Sequence, residues 1–423
     1  MSLLSWVAVA VVIVAIWALI KRYETRLVLI ASGLFLAVVA LQPMAALDAF
    51  AKSMTNASLV MAICSSMGFA FVSSYTKADR SLVHYMASPI RGLGIFLIPV
   101  CTAITFFVNI AIPSAAGCAA AVGSTLIPVM LRAGIKPAAA AAAVLAGTIG
   151  SYLSPGTSHN PYVAKMANME VMDFIASHAP YSFMIGAFSV FGVLIVCFLL
   201  GDHKGDANAK VDESKLQKQD EDFKPSPILA LVPLVPITIL VVGNVWVPAI
   251  KMGVAQAMLI GAICALIIAR ANPQTFTKEF FNGTGKGYAD VMGIIIAAGV
   301  FAAGLKAAGL IDAFVAALKE SNEIARWGGS FGPFLMGIIT GSGDAATLAF
   351  NETVTPHAKD FGMTIEGLGG LAFLAGAAGR TASPIAGVTI LVSGIAMVSP
   401  LEVVKRTAIP MLLAVIACAL LMV

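Results

Sequence analysis

The chain has 423 residues, of which 59% are hydrophobic and 11% charged, with a mean hydropathy of +0.93; a soluble domain carries about 25% charged residues, so the composition excludes an ordinary soluble protein. The net charge of +4 is too small and too dispersed for a nucleic-acid surface and fits Lys and Arg placed in cytoplasmic loops. The six Cys lie in apolar stretches without CxxC or metal-ligand spacing, so they read as small packing residues and no cofactor is expected.

Apolar runs of roughly 17–25 residues span a bilayer as helices. The first, LLSWVAVAVVIVAIWALI (3–20), has its basic cluster KRYETR after it, the reverse of a secretory signal, and reads as a retained helix with its N-terminus outside. Spans follow at 27–44 and 57–75. The runs 92–112 and 116–131 read as a hairpin, 137–153 as a helix continuing after a break to about 177, and 180–200 as a further span. The long polar segment 201–227 reads as a solvated cytoplasmic linker. The second half gives spans at 228–246, 252–269 and 289–308, and a second hairpin over 330–340 and 344–358. A second broken helix covers 366–379 and continues to about 398, and 407–423 is the last span, for about eleven spans. LIDAFVAALKES (310–321) reads as an interfacial amphipathic piece.

The halves 1–200 and 228–423 repeat one another. LAGTIGSYLSP (145–155) aligns without a gap to LAGAAGRTASP (374–384), six of eleven positions being identical. PSAAGCAAAVGSTLIP (113–128) aligns to GSGDAATLAFNETVTP (341–356), pairing Ser114 with Ser342 and Pro128 with Pro356. With the N-terminus outside and each hairpin returning to its own side, the segments 21–26, 76–91, 132–136, 201–227, 270–287 and 399–406 fall inside. They hold 18 of the 26 Lys and Arg, in agreement with the positive-inside rule. Both termini are then periplasmic and the two repeats are inverted. The fold class expected is therefore an all-α polytopic membrane protein of two inverted-topology repeats, each with a re-entrant hairpin and a broken transmembrane helix. Such repeats mark secondary transporters that bind substrate and ions near the midplane.

The hairpin tips fall at IPSAAG (112–117) and TGSGDA (340–345), and the unwound stretches at GSYLSPGTSHNP (150–161) and GRTASPIAG (379–387). Proline ends the hydrogen-bond ladder, glycine permits tight turns, and free backbone at membrane depth is tolerated where it lines a cavity. Arg380 replaces Ser151 of the first repeat and suits bidentate recognition of a carboxylate; a pairing with Asp344 or Glu352 for neutrality is the competing account. Those two acids have Ala116 and Ser124 as counterparts, and intramembrane carboxylates default to functional hypotheses. With Asn351 they are the expected ion-coupling residues, for a proton or for a sodium ion near Asp344, against a purely capping or pairing role. Ser114, Thr157, Ser158, Asn160, Ser342, Thr347, Asn351, Thr381 and Ser383 could donate to carboxylate oxygens, or cap helices. His159 could titrate or face a loop, and Asn109 and Asn351 could bond across the hairpin arms.

In IPSAAGCAAAVGSTLIPVMLRAGIKPAAAAAAVLAGTIG, YLSPGTSHN, ITGSGDAATLAFNETVTPHA and GRTASPIAG the chain resembles the anaerobic C4-dicarboxylate carriers of the DcuC type, within a larger ion-transporter superfamily. The resemblance implies transport of succinate, fumarate or malate by uptake, exchange or efflux in a bacterial inner membrane. It also implies a scaffold with a moving transport domain, hence an elevator, and commonly a homodimer. It places Ser114, Ser154, Gly156, Thr157, Ser342, Gly343, Asp344, Arg380, Thr381 and Ser383 at the site. The His of SPGTSHN departs from the small or acidic residue of that pattern.

Other classes fit less well. A hydrolase would need Ser342 within reach of a base, yet His357 lies fifteen residues along the chain. A channel would favour repeated charged rings. A cation/proton antiporter would keep Asp344 and make Arg380 structural, and a carrier of another organic anion would keep the whole site.

Overall fold

The structure, a computed structural model, describes residues 3–21, 23–87, 94–202, 223–311, 313 and 322–422. Among the described residues there are helices and no strand. Seven helices are long and apolar enough to cross a membrane: Ala57–Tyr75, Gly94–Ala111, Ala115–Arg132, Val171–Leu199, Pro227–Val245, Pro273–Ala307 and Pro400–Leu421. Shorter apolar helices cover Leu3–Leu19, Thr25–Val39, Pro137–Leu153, Val254–Ala269 and Gly387–Ala396.

Several boundaries differ from the sequence reading. The helix after the first break stops at Ala167 rather than near 177, because Asn168 turns left-handed (φ 53°) and caps it with an N–H bonded to the Ala164 and Lys165 carbonyls. The next helix therefore starts at Val171 and runs to Leu199 through a π turn at Phe188–Gly192. The segment 270–287, read as a loop, is mostly helix Pro273–Lys286. Asn272 accepts the N–H groups of Gln274 and Thr275 and Pro273 takes the first position, where its missing donor costs nothing. Loops read at 45–56 and 76–91 contain the helices Pro43–Met54 and Ala78–Ala87. Most of 310–321 and of the linker, at 312, 314–321 and 203–222, lies outside the described residues.

The helices pack in two groups. In the first, early helices of both halves interleave: Thr25–Val39 and Pro43–Met54 lie on Gly293–Ala307, and Ala57–Tyr75 lies on Val254–Ala269 and Pro273–Lys286. Small residues permit this approach; a Cβ at Gly33 would stand 2.4 Å from the Val300 carbonyl oxygen. In the second group each broken helix packs on the hairpin of its own half and sends its far segment to the other half. His159–Ala167 lies on Ile365–Thr381, and Gly387–Ala396 lies on Ala115–Arg132 and Pro137–Gly147.

Two glycines, at positions that the sequence alignment of 145–155 with 374–384 pairs, make the same close approach. A Cβ at Gly150 would fall 1.9 Å from the Phe106 carbonyl oxygen, and one at Gly379 would fall 2.1 Å from that of Phe334. A buried ion pair closes one end of the second group: Arg406 grips Asp202 bidentately at 2.8 and 3.0 Å, and Asp202 also accepts the Lys136 N–H on its backbone at 2.9 Å.

Candidate functional site

The first hairpin turns at Ile112–Ser114, where Pro113 interrupts the helix and Ser114 restarts it by accepting the Gly117 N–H at 3.1 Å. Asn109, on the first arm, touches Cys118 of the opposite arm. It donates to the Ile112 carbonyl at 2.9 Å and accepts the Ser151 N–H at 2.8 Å, tying the hairpin tip to the first break.

That break runs from Gly147 through a 3-10 turn, Gly150–Leu153, to the helix starting at His159. Its loose backbone is held by its own polar side chains. Thr157 donates to the Ser151 carbonyl at 2.7 Å, and Asn160 donates to the Tyr152 and Ser154 carbonyls at 2.8 Å each. The Ser154 hydroxyl accepts the Gly156 N–H at 3.3 Å. Gly156 lies close to the hairpin tip, with room for no more than a methyl before Pro113, 3.2 Å from its Cβ position.

In the second hairpin Gly341 turns the chain with φ +71°, and Ser342 caps the next helix by accepting the Ala345 N–H at 3.3 Å. Gly341 touches the second break, its Cβ position being 3.0 Å from Ala386. There Ser383 donates to the Ile338 carbonyl at 2.7 Å and accepts the Ile385 N–H at 3.4 Å, while Thr381 donates to the Ala377 carbonyl at 2.9 Å.

Most of the hydroxyls expected to hold substrate thus shape the breaks. Thr157, Thr381 and Ser383 already donate to protein carbonyls. Ser114, Ser154 and Ser342 only accept, which leaves each O–H free for a ligand, and Ser158 makes no capping bond. Thr347 donates to the Ala372 carbonyl at 3.3 Å. Asn351 is wholly buried, donating to the Gly369 carbonyl at 3.3 Å and accepting from Thr355 at 2.8 Å. It fastens the second hairpin to Ile365–Thr381, and both ends of its amide are occupied by protein.

The breaks of the two halves meet. Arg380 donates through Nη2 to the Thr148 carbonyl at 3.1 Å, at the end of the first broken helix, and Tyr152 donates to the Leu374 carbonyl at 2.9 Å. Asp344 Oδ1 lies 3.0 Å from His159 Nε2. The imidazole is buried and stacked on Phe373 (centroids 4.5 Å, 29°), whereas the Asp344 side chain is 63% exposed. Glu352 accepts the Tyr162 hydroxyl.

Neither acid makes the direct pairing with Arg380 that the competing account expects, although the Arg380 charge acts on Asp344. Asp344 goes to His159 and Glu352 to Tyr162, and among the described residues no carboxylate pairs with Arg380. Its Nε is buried without a partner. Glu352 stands apart from Asp344 by eight residues, about 12 Å along the helix, beside Gly299 of the first packing group (Oε1 3.7 Å from its Cβ position). His159 is the site residue that sequence reasoning passed over; its departure from the family pattern was the available signal. His357 faces Asp360 at 3.5 Å, fifteen residues along the chain from Ser342, so no serine–base pair forms between them. Among the described residues no group of three His, Cys, Asp or Glu could hold a metal.

Spanning helices whose hairpin turns and breaks surround an unpaired arginine and an open carboxylate define a membrane transporter rather than an enzyme. The family model "C4-dicarboxylate anaerobic carrier" (DcuC) matches residues 5–423, and the chain belongs to that family. It is 50% identical over 277 residues, 64% of this chain and 99% of the other, to a putative uncharacterized transporter of Haemophilus influenzae. It is 27% identical over 375 residues, 85% of this chain and 78% of the other, to the anaerobic C4-dicarboxylate transporter DcuC of Escherichia coli K12. Among solved structures it shares its fold with the YdaH transporter of Alcanivorax borkumensis, with a TM-score of 0.54, 14% identity, and coverage of 89% of this chain and 86% of that one.

Proposed function

We propose that the protein is a secondary active carrier of C4-dicarboxylates such as succinate, fumarate and malate, embedded in a bacterial inner membrane. The observation that carries this reading is Arg380: a guanidinium at the junction of two helix breaks, bonded to one carbonyl, with a buried Nε and no acid within ion-pair distance among the described residues. A substrate carboxylate completes that fork bidentately, and in a water-poor site the charge-assisted bonds are strong. Ser114, Ser154 and Ser342 present unused O–H donors around it. Asp344, bonded to His159, is the coupling position, where a proton or a sodium ion offsets the second negative charge of a dianion.

The transport step is an elevator in this reading. The hairpins and broken helices carry the anion past the scaffold of interleaved early helices, as ion-coupled symport or as exchange, with two copies forming a dimer. The interleaving of the early helices of both halves supports such a scaffold, and the matched approaches of Gly150 to Phe106 and Gly379 to Phe334 support descent of the halves 1–200 and 228–423 from one inverted unit. The linker 201–227 and both termini follow the orientation set by the basic loops, with the linker cytoplasmic and the termini periplasmic.

Uptake of labelled succinate into proteoliposomes, with and without internal succinate, at two pH values and with or without sodium, tests the reading. Saturable uptake that Arg380→Gln abolishes, with insertion intact, is the expected result. Normal affinity in Arg380→Gln removes the arginine from the site. Lumen acidification driven by sodium or potassium alone, with no effect of dicarboxylates, would identify a cation/proton antiporter instead, and saturable uptake of a different organic anion would redirect the substrate.

A further inference from the structure

A break leaves carbonyls without their helical partners, and each break of this chain is met by a buried side chain from the helix that follows it. In the first half that helix is Val171–Leu199. His178 on it is fully buried, with Nδ1 2.9 Å from Ser182 Oγ and Nε2 3.1 Å from Asn160 Oδ1. Asn160 fixes the sense of the second bond. Its amide nitrogen donates to the Tyr152 and Ser154 carbonyls at 2.8 Å each, so its oxygen is the end turned to the ring, and His178 Nε2–H donates to it. A bonded chain thus runs from His178 through the Asn160 amide to two carbonyls of the first break.

The second half repeats the contact with different chemistry. The alignment of 145–155 with 374–384 pairs Tyr152 with Thr381, and the same offset carries His178 onto Thr407. Thr407 lies on Pro400–Leu421, the helix after the second broken one; it is fully buried and donates to the Thr381 carbonyl at 2.8 Å. The paired carbonyls of Tyr152 and Thr381 are therefore held from paired positions of the following helices, once through an amide and once directly. Two unlike side chains that reach the same carbonyl position share a task that apolar filling of the same space would not perform. We propose that His178 and Thr407 are positioning residues of the carrier. They set the backbone at 152–154 and at 381, and with it the neighbouring side chains Ser154 and Arg380, acting through the breaks rather than on the substrate. The transport part of this proposal rests on the carrier reading above; the hold on the backbone does not.

The test joins two measurements on the full-length protein: amide hydrogen exchange of the segments 148–158 and 379–386 in detergent, and the concentration dependence of labelled succinate uptake in proteoliposomes. The variants are Thr407→Val, which keeps the shape and removes the O–H, and His178→Ala, with Thr407→Ser and His178→Gln as versions that keep a donor. Loss of one buried hydrogen bond corresponds to about three- to tenfold in an equilibrium. Thr407→Val is expected to speed exchange by that factor in 379–386 and not in 148–158, and His178→Ala to do the reverse. The half-saturating succinate concentration should rise by a like factor while the maximal rate stays within about twofold, and the donor-keeping versions should recover both. If His178→Ala fails to insert, Thr407→Val decides alone. Exchange unchanged in both breaks, exchange faster in all helices alike, or half-saturation unaltered in a variant whose break has loosened overturns the proposal. Absence of saturable uptake by the wild type removes the carrier reading, and the exchange comparison then still decides whether the two residues hold the breaks.

Discussion

His159 and Asp344, 185 positions apart in the chain, stand 3.0 Å apart and join the helix after the first break to the second hairpin. The first half supplies the imidazole and the second half the acid. Together with Arg380 on Thr148 and Tyr152 on Leu374, the pair makes the junction of the breaks a bonded unit.

Removing the imidazole tests that unit. His159→Ala deletes a donor to a carboxylate, about 1.5–3 kcal/mol for a hydrogen bond to a charged group, along with the stacking on Phe373. Thermal unfolding of the detergent-purified protein should shift several degrees lower. His159→Gln retains an N–H donor and should recover part of the shift. Equal unfolding temperatures for wild type and His159→Ala would show that the pair contributes nothing to joining the halves.

The paired glycines give a second prediction. At Gly150 and Gly379 a methyl would enter carbonyl oxygens at 1.9 and 2.1 Å, inside any tolerable contact, so backbone must move. Overpacking costs about 1–3 kcal/mol or more, and both Gly150→Ala and Gly379→Ala should insert poorly or unfold early. Gly332, helical with nothing near its Cβ position, is the control: Gly332→Ala gains helix propensity of about 0.5–1 kcal/mol. A tolerated Gly150→Ala would contradict the close packing of break on hairpin.

Asp202 and Arg406 provide a third. Asp202 is fully buried and Arg406 nearly so; removing one partner breaks the bidentate pair and leaves Arg406 with Glu402 at 3.1 Å or Asp202 with Lys136 at 3.8 Å, at up to about 3–5 kcal/mol. Asp202→Asn and Arg406→Gln should each lower the unfolding temperature strongly. The double variant Asp202→Leu with Arg406→Met should recover most of the loss, because replacing a whole buried pair by apolar residues is often neutral. Unfolding is read by intrinsic fluorescence, and a double variant as unstable as the singles would mean the pair is needed for more than neutrality.

Much of this architecture was legible in the chain because bilayer length and the Gly-Ser-Pro interruptions are local signals. Both hairpin turns and both breaks fall where PSAAG, TGSGD, SPGTS and RTASP place them. The boundary at Asn168 was missed because a left-handed asparagine cap resembles any other polar residue in sequence. The helix at Pro273–Lys286 was missed because its lysines read as loop charge. Partner choice was not legible at all: Asp344 with His159, Glu352 with Tyr162 and Arg406 with Asp202 depend on contacts across 185, 190 and 204 positions. Hydroxyls such as Thr157 and Ser383 looked free to hold a ligand because sequence does not show which carbonyls a break leaves unpaired. Asn351 looked like a coupling residue for the same reason.

Glu352 closes the set of predictions because it sits where the two packing groups touch. It belongs to the second hairpin, accepts from Tyr162 of the other half, and lies beside Gly299 and Ser53 of the interleaved early helices. In an elevator a carboxylate on the sliding surface must be neutral or paired to pass an apolar face, since an unpaired buried charge costs several kcal/mol. Glu352→Gln preserves the shape and the bond to Tyr162 while removing the charge. Exchange of internal for external succinate should therefore continue, whereas accumulation driven by a proton gradient should fall at least about tenfold. Proteoliposome uptake measured with and without an imposed gradient separates the two. Accumulation at the wild-type level in Glu352→Gln would mean that this carboxylate crosses charged, paired with Tyr162, and takes no part in coupling.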